Sequence, residues 1–110
     1  MILDAPLQSI LEEASDDWIY AGYFYNPFMN LPLTDQHYAA LGLAQLMLSR
    51  DLLVIGDLVG ARFIPRADEI AAALREIALH WPNGDMERPG IGDIAWFDIT
   101  PAGEELLAAH

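Results

Sequence analysis

The first stretch of the chain has the hydrophobic spacing of an amphipathic helix. Its apolar residues recur every three or four positions and fall on one helical face: Leu3, Leu7, Ile10, Leu11 and Ala14. Asp4 is placed to cap this helix, and Pro6 is compatible with a first helical turn. The pattern ends at the polar residues 15–17, so the sequence predicts one helix before residue 18.

Aromatic residues then replace the helical spacing. Six rings fall within residues 18–28, which predicts a short strand over residues 18–20 followed by a turn or a short helical piece. Such a run either fills the core or forms an interface, because tyrosine and tryptophan supply large contact areas at low entropic cost. If the segment is extended, Tyr23 and Tyr25 lie on one side and are the candidate aromatic contacts.

A second helix is predicted over residues 34–50. Thr34 is the expected N-cap, with Leu33 and Tyr38 on either side of it as a hydrophobic staple. Residues 38–48 are apolar nearly all round, interrupted by Gln45. A helix that is apolar on every face is buried, so we expect the other elements to pack against it.

Two extended pieces and a third helix follow. Residues 52–55 are a continuous apolar run closed by Gly56 and Asp57, which predicts a short buried strand. Residues 62–64 are a second extended candidate. A helix is predicted over residues 67–80, with these residues on its inner face: Ile70, Leu74, Ile77, Ala78 and Trp81.

The start of the third helix and the end of the chain carry helix signals of their own. Asp68 and Glu69 lie in the first turn of the third helix, where carboxylates interact favourably with the helix dipole. Residues 94–99 predict a strand. Thr100 and Pro101 then begin a last helix as its N-cap and first helical residue.

The order of these elements resembles that of a winged-helix domain. Residues 96–107 (WFDITPAGEELL) are similar to the strand, Thr-x-x-Gly and helix that end the wing in many MarR-like and PadR-like proteins. Residues 51–58 (DLLVIGDL) resemble the strand after the recognition helix. The resemblance implies an α+β fold over residues 1–110, with four main helices, a small antiparallel sheet and an extra helix inserted between the wing strands.

The DNA-facing positions depart from that family. The resemblance makes residues 34–50 the recognition helix, which needs side chains for base edges and cations for phosphates. That helix has one arginine, Arg50, at its far end. In the wing region three carboxylates stand against Arg88 alone: Asp85, Glu87 and Asp93. We therefore expect the fold without DNA binding.

The length and charge of the chain restrict the number of domains and the kinds of partner that we expect. A chain of 110 residues with 54% hydrophobic residues predicts one domain with a core of its own. It has 17 carboxylates against five arginines, no lysine and no cysteine, for a net charge of −12. Such a surface repels nucleic acid and attracts cationic partners. Without cysteine the chain has neither disulfides nor thiolate chemistry.

The sequence also leads to expectations about cellular location, catalysis and bound metals or cofactors. No run approaches the roughly 20 apolar residues that a membrane span needs, and no basic region precedes an apolar run at the start, so we expect a cytoplasmic protein. The histidines lack the four-residue spacing that places two on one metal ion: His37, His80 and His110. No serine lies in a Gly-x-Ser-x-Gly turn. We expect neither an enzyme nor a bound metal or cofactor.

Acidic turns and aromatic residues form the candidate binding set. We expect partner contacts at these residues: Asp16, Asp17, Tyr23, Tyr25, Asp57, Asp85, Glu87 and Asp93. Aromatic anchors with an acidic rim suit a basic protein, for example one neutralised by a bacterial immunity protein, an antitoxin or another inhibitor. The alternative is a winged-helix transcription regulator. It requires the arginines to collect on one face, and it is compatible with a homodimer.

Overall fold

The computed structural model describes residues 4–66 and 69–109. Within them lie four α-helices, one 3₁₀ helix and four strands. In chain order these are α1 (Ala5–Asp16), β1 (Ile19–Tyr20), the 3₁₀ helix Ala21–Phe28, α2 (Leu33–Ser49), β2 (Leu53–Val59), β3 (Arg62–Pro65), α3 (Ile70–His80), β4 (Trp96–Ile99) and α4 (Pro101–Ala108). The predicted α+β class with a small antiparallel sheet is confirmed.

The strands form one antiparallel sheet in the order β1-β4-β2-β3. Phe97 of β4 lies opposite Ile19 of β1 and Ile55 of β2. These three side chains are buried together, because residues aligned across antiparallel strands point to the same face. α1 packs against β4 and α2 against β2, so the core lies on this inner face of the sheet.

The core is built around α2, as its apolar sequence predicts. Ala40, Ala44 and Met47 are completely buried, and the helix contacts α1, α3, the 3₁₀ helix and β2. The predicted inner face of α1 is also confirmed through its buried residues: Leu7, Ile10, Leu11 and Ala14. The predicted contribution of Leu3 lies outside the described residues.

The start of α2 differs from the prediction. The helix begins at Leu33, with Pro32 at the N-cap, since proline favours the extended backbone found there. Thr34 is therefore inside the helix, where its hydroxyl donates a 3.3 Å hydrogen bond to the carbonyl oxygen of Gly84. Tyr38 is 70% exposed, so the predicted hydrophobic staple is wrong.

The strand predicted over residues 52–55 is longer than its sequence suggested. β2 continues through Gly56 and Asp57 to Val59 and pairs with β3 in a hairpin. The chain reverses at Gly60, whose φ of +62° suits glycine. Gly56 lies inside the strand instead of ending it. The ring of Phe63 occupies the space where a side chain would lie, since a Cβ at Gly56 would be 2.6 Å from the Phe63 Cζ atom.

α3 is more loosely attached than its periodicity predicts. Ala73 and Ile77 are buried, as is the following Trp81, but Ile70 is 48% exposed and Ala78 is also exposed. The helix packs chiefly against α2, so a narrow stripe suffices to attach it. The predicted helix start at residues 67 and 68 lies outside the described residues.

The predicted cap of α4 is confirmed. The Thr100 hydroxyl oxygen accepts a 3.0 Å hydrogen bond from the backbone N–H of Gly103. Its hydroxyl hydrogen is donated to the carbonyl oxygen of Asp51. Thr100 is itself buried, so one side chain joins the start of α4 to the end of α2.

We expect Thr100→Ala to lower the free energy of unfolding by about 1–2 kcal/mol, because the backbone N–H of Gly103 and the carbonyl oxygen of Asp51 both lose their partner. Urea titration followed by circular dichroism measures the change. Thr34→Ala is the matched control and should change stability by less than about 0.5 kcal/mol. Equal losses in the two variants would contradict the assignment of the cap.

Candidate functional site

The outer face of the sheet is lined with aromatic rings. Side chains alternate between the two faces of a strand, so the residues next to the buried positions point outward. We define the aromatic face by its four rings, all half-buried: Trp18, Tyr20, Phe63 and Trp96. These rings remain partly open to solvent.

Two rings meet over the middle of the sheet. Trp18 and Phe63 stack with their centroids 6.2 Å apart and their planes 25° from parallel. Phe63 can lie flat because Gly56 beneath it has no side chain. Trp18 precedes β1 and Phe63 belongs to β3, and these two strands are the opposite edges of the sheet. The stacked pair therefore bridges the width of the sheet.

The other two rings form an edge-to-face pair. Tyr20 and Trp96 lie opposite each other in the β1–β4 ladder, and their centroids are 5.8 Å apart at 74°. Tyr23 adds a third ring 5.0 Å from Tyr20, again edge to face. The predicted contact Tyr23 therefore lies half-buried at the border of the aromatic face.

An acidic cleft adjoins the aromatic face at Trp18. It has a volume of about 270 Å³, and its walls carry four carboxylates: Asp16, Asp17, Asp98 and Glu104. Asp16 and Asp17 end α1, whereas Asp98 belongs to β4 and Glu104 to α4. The Asp17 carboxylate accepts a 2.7 Å hydrogen bond from the Trp18 backbone N–H, which joins the cleft to the aromatic face.

Asp98 and Glu104 were not among the predicted contacts. Asp98 follows the buried Phe97 in β4, so strand alternation alone turns its side chain to the outer face. The sequence thus contained a signal for Asp98, because an acidic residue interrupts the apolar run of residues 94–99. Glu104 joins the cleft through the packing of α4 against α1, which no local pattern reveals.

The predicted contact Asp57 is engaged within the chain. Its carboxylate accepts two hydrogen bonds from Arg66, at 3.1 Å from Nε and 2.9 Å from Nη2. The hydrogen-bonded guanidinium holds the pKa of Asp57 below its usual range. This pair neutralises one carboxylate of the sheet and braces the β2–β3 hairpin.

The remaining predicted carboxylates lie in the segment between α3 and β4. Asp85 and Glu87 are exposed. Asp93 accepts a 2.7 Å hydrogen bond from the Gly90 backbone N–H, which stabilises a turn. Glu87 and Asp93 line a second cleft of about 690 Å³ beside α3. Neither lines the acidic cleft, so the structure divides the predicted acidic set between separate places.

Tyr25 is a correction to the predicted contacts. The segment is a 3₁₀ helix rather than an extended strand, and its curvature turns Tyr25 into the core, where the side chain is completely buried. Its ring stacks parallel to that of Trp81 at 6.0 Å. The aromatic run is thus shared between the core and the surface, because Tyr20 and Tyr23 remain half-buried.

Tyr25 belongs to a buried hydrogen-bonded chain. Its hydroxyl lies 2.7 Å from Nδ1 of His37, and Nε2 of His37 lies 2.9 Å from the carbonyl oxygen of Met86. A carbonyl only accepts, so Nε2 carries the hydrogen and Nδ1 accepts from the Tyr25 hydroxyl. Desolvation raises the pKa of Tyr25 to about 12. His37 therefore has a structural role in holding Met86.

Comparison with protein-family models, with curated proteins and with solved structures finds no match to this chain. The described residues include no helix long and apolar enough to cross a membrane. Nor do residues 4–66 and 69–109 place three or more His, Asp or Glu side chains where they could hold a metal ion together.

The arrangement is suited to cations carried by another molecule. Carboxylates attract ammonium and guanidinium groups, and the faces of aromatic rings attract the same groups through their quadrupoles. The residues that line the acidic cleft include neither arginine nor histidine. An incoming cation therefore meets four acidic side chains without displacing a cation from the cleft lining.

Proposed function

We propose that this protein is a binding module for a basic protein partner. The observation that carries the proposal is the junction of the acidic cleft with the aromatic face at Trp18. Half-buried aromatic residues serve as anchors in protein interfaces, and a charged rim guides the partner into register. Cleft and rings together combine both requirements on one surface.

The charge of the whole chain supports the same proposal. Seventeen carboxylates against five arginines give a field that steers a cationic protein and repels nucleic acid. In the specific form of the proposal, the partner is a basic toxin or nucleic-acid enzyme, and this chain acts in the cytoplasm as its immunity protein, antitoxin or inhibitor. An acidic protein of this kind occupies the surface with which its target would bind phosphates.

A winged-helix DNA-binding regulator is the second candidate. It is favoured by the β2–β3 hairpin and by the capped α4 that follows β4, as the sequence resemblance implies. Its weakness is α2, the helix placed as the recognition helix. Gln36 and His37 of that helix are buried and bond to the carbonyl oxygens of Leu31 and Met86, so they do not face bases.

Fluorescence anisotropy of a labelled ten-residue peptide of alternating arginine and lysine tests the binding module. We expect binding that weakens as salt rises, since exposed charges are screened. Asp16→Asn with Asp17→Asn should weaken it about threefold or more at low salt, mainly through a slower association rate. Duplex DNA in place of the peptide should not bind.

The matched control is Asp35→Asn with Glu69→Gln, which removes the same charge from exposed residues outside both the acidic cleft and the predicted contact set. We expect it to bind nearly as well as the parent protein. If both double variants bind equally weakly, net charge alone governs association and the cleft is not the contact. Absence of peptide binding at any salt concentration would overturn the proposal.

A further inference from the structure

We propose that the aromatic face and the acidic cleft together bind arginine side chains of the partner in preference to lysine side chains. This inference rests on the proposed function and specifies its chemistry. Arginine has a planar guanidinium that stacks on rings and takes carboxylates in a fork, whereas the lysine ammonium is a compact and strongly hydrated point charge. A surface with both rings and carboxylates therefore binds the guanidinium of arginine more tightly than the ammonium of lysine.

The stacked pair supplies the rings. Trp18 is half-buried and lines the acidic cleft, and its stacking on Phe63 holds the indole in place over the sheet. Tryptophan is the ring that attracts cations most strongly, and arginine is the cation found over it most often. A guanidinium in the cleft can therefore lie beside a ring that is already ordered.

The carboxylates supply the acceptors for the N–H donors of the guanidinium. Asp16 and Asp17 come from the end of α1, and Asp98 comes from the neighbouring β4. A guanidinium has five N–H donors in fixed directions, which suits carboxylates arriving from more than one element. The Oδ1 atoms of Asp17 and Asp98 already accept backbone hydrogen bonds within the chain, which orients both side chains.

The small size of the cleft is compatible with one long side chain. Its volume of about 270 Å³ is near the lower end of the roughly 300–1,000 Å³ of sites that enclose small-molecule ligands. One long side chain fits such a space while the rest of its chain crosses the aromatic face. In this proposal, the occupant is a segment of a protein partner, and an arginine is the residue that enters the cleft.

Charge opposes a second copy of this chain as the occupant. Each copy has a net charge of −12, and pairing this face with its counterpart would bring two acidic clefts together. Like charges placed opposite each other in an interface cost several kcal/mol. A basic segment instead relieves the repulsion among the four carboxylates, so complementarity selects a cationic partner.

Two labelled ten-residue peptides of equal charge, one of alternating arginine and glycine and one of alternating lysine and glycine, test the preference. We expect the arginine peptide to bind at least about fivefold more tightly, within the range of a cation–aromatic contact. Trp18→Leu should reduce this preference to less than about twofold, because it weakens binding of the arginine peptide more than binding of the lysine peptide. Circular dichroism and urea titration of the variant check that it is folded.

Because Trp18→Leu also removes the stack on Phe63, Phe63→Leu is a second variant that disturbs the ring pair while keeping Trp18. It should lower the preference to an intermediate value. Asp16→Asn with Asp17→Asn should instead weaken both peptides, since the Coulomb attraction acts on either cation.

Each outcome decides between the two proposals. If neither peptide binds, the proposed function fails. If both bind with equal affinity, or if the preference for arginine survives in folded Trp18→Leu, the arginine inference fails while the proposed function stands. Sedimentation of the free protein adds a last test, because a dimer that Trp18→Leu dissociates would make a second copy the occupant.

Discussion

Gly103→Ala is expected to lower the free energy of unfolding by about 3 kcal/mol or more. A Cβ at Gly103 would run into the backbone carbonyl oxygen of Leu52 and would lie 2.8 Å from Cγ1 of Ile99. Neither neighbour is the free end of a flexible side chain. The start of α4 would therefore have to move away from the sheet.

Gly42→Ala is the control for this substitution. Gly42 also lies in a helix, α2, but a Cβ there would meet nothing within 4 Å. Alanine favours helix over glycine by about 1 kcal/mol, so we expect a gain in stability of roughly 0.5–1 kcal/mol. Urea titration of both variants gives the comparison. A gain in stability for both variants would show that helix propensity, not contact with Leu52, decides the result.

Tyr25→Phe is expected to lower the free energy of unfolding by about 1–3 kcal/mol at pH 7. The substitution keeps the ring against Trp81 and removes the hydroxyl alone. Nδ1 of His37 then stays buried without the donor it has in the parent protein. Tyr38→Phe, at an exposed tyrosine, should change stability by less than about 0.5 kcal/mol.

The same tyrosine predicts how stability depends on alkaline pH. The pKa of Tyr25 is about 12 in the folded chain against 10.0 for an unperturbed tyrosine, so above pH 10 the folded state holds a proton that the unfolded state loses. The contribution of Tyr25 to the free energy of unfolding is therefore complete below pH 10 and is lost as the pH rises towards 12. Urea titrations at pH 9 and pH 11 should show a smaller decline for Tyr25→Phe than for the parent protein. Parallel declines would contradict the burial of the hydroxyl.

α1 and α4 were predictable because their sequences contain short local signals. α1 shows its buried side every three or four residues, and Thr100 with Pro101 announces the start of α4. These signals are local: they depend on contacts within one or two helical turns. The strands β1 and β3 were also visible as short extended pieces, although nothing in the sequence indicated their neighbours.

Asp16 and Asp17 of the candidate site were predicted from the sequence, but Asp98 and Glu104 were not, because the order of the strands and the packing of α4 bring these residues together. Asp17 and Asp98 approach each other because β1 pairs with β4, a contact between residues far apart in the chain. Tyr25 failed as a surface contact for a different reason. Whether a tyrosine points inward depends on the turn of the 3₁₀ helix, and an extended segment with the same residues would have turned it outward.

The start of α2 anchors the middle of the long segment between α3 and β4. Adjacent residues of α2 hold it: His37 bonds to the carbonyl oxygen of Met86, and the side-chain oxygen of Gln36 accepts from Arg88. Both anchors are released together if the start of α2 frays. Amide hydrogen exchange in the segment should therefore follow the opening of the first turn of α2, and a protease would find the two regions susceptible in a single opening event.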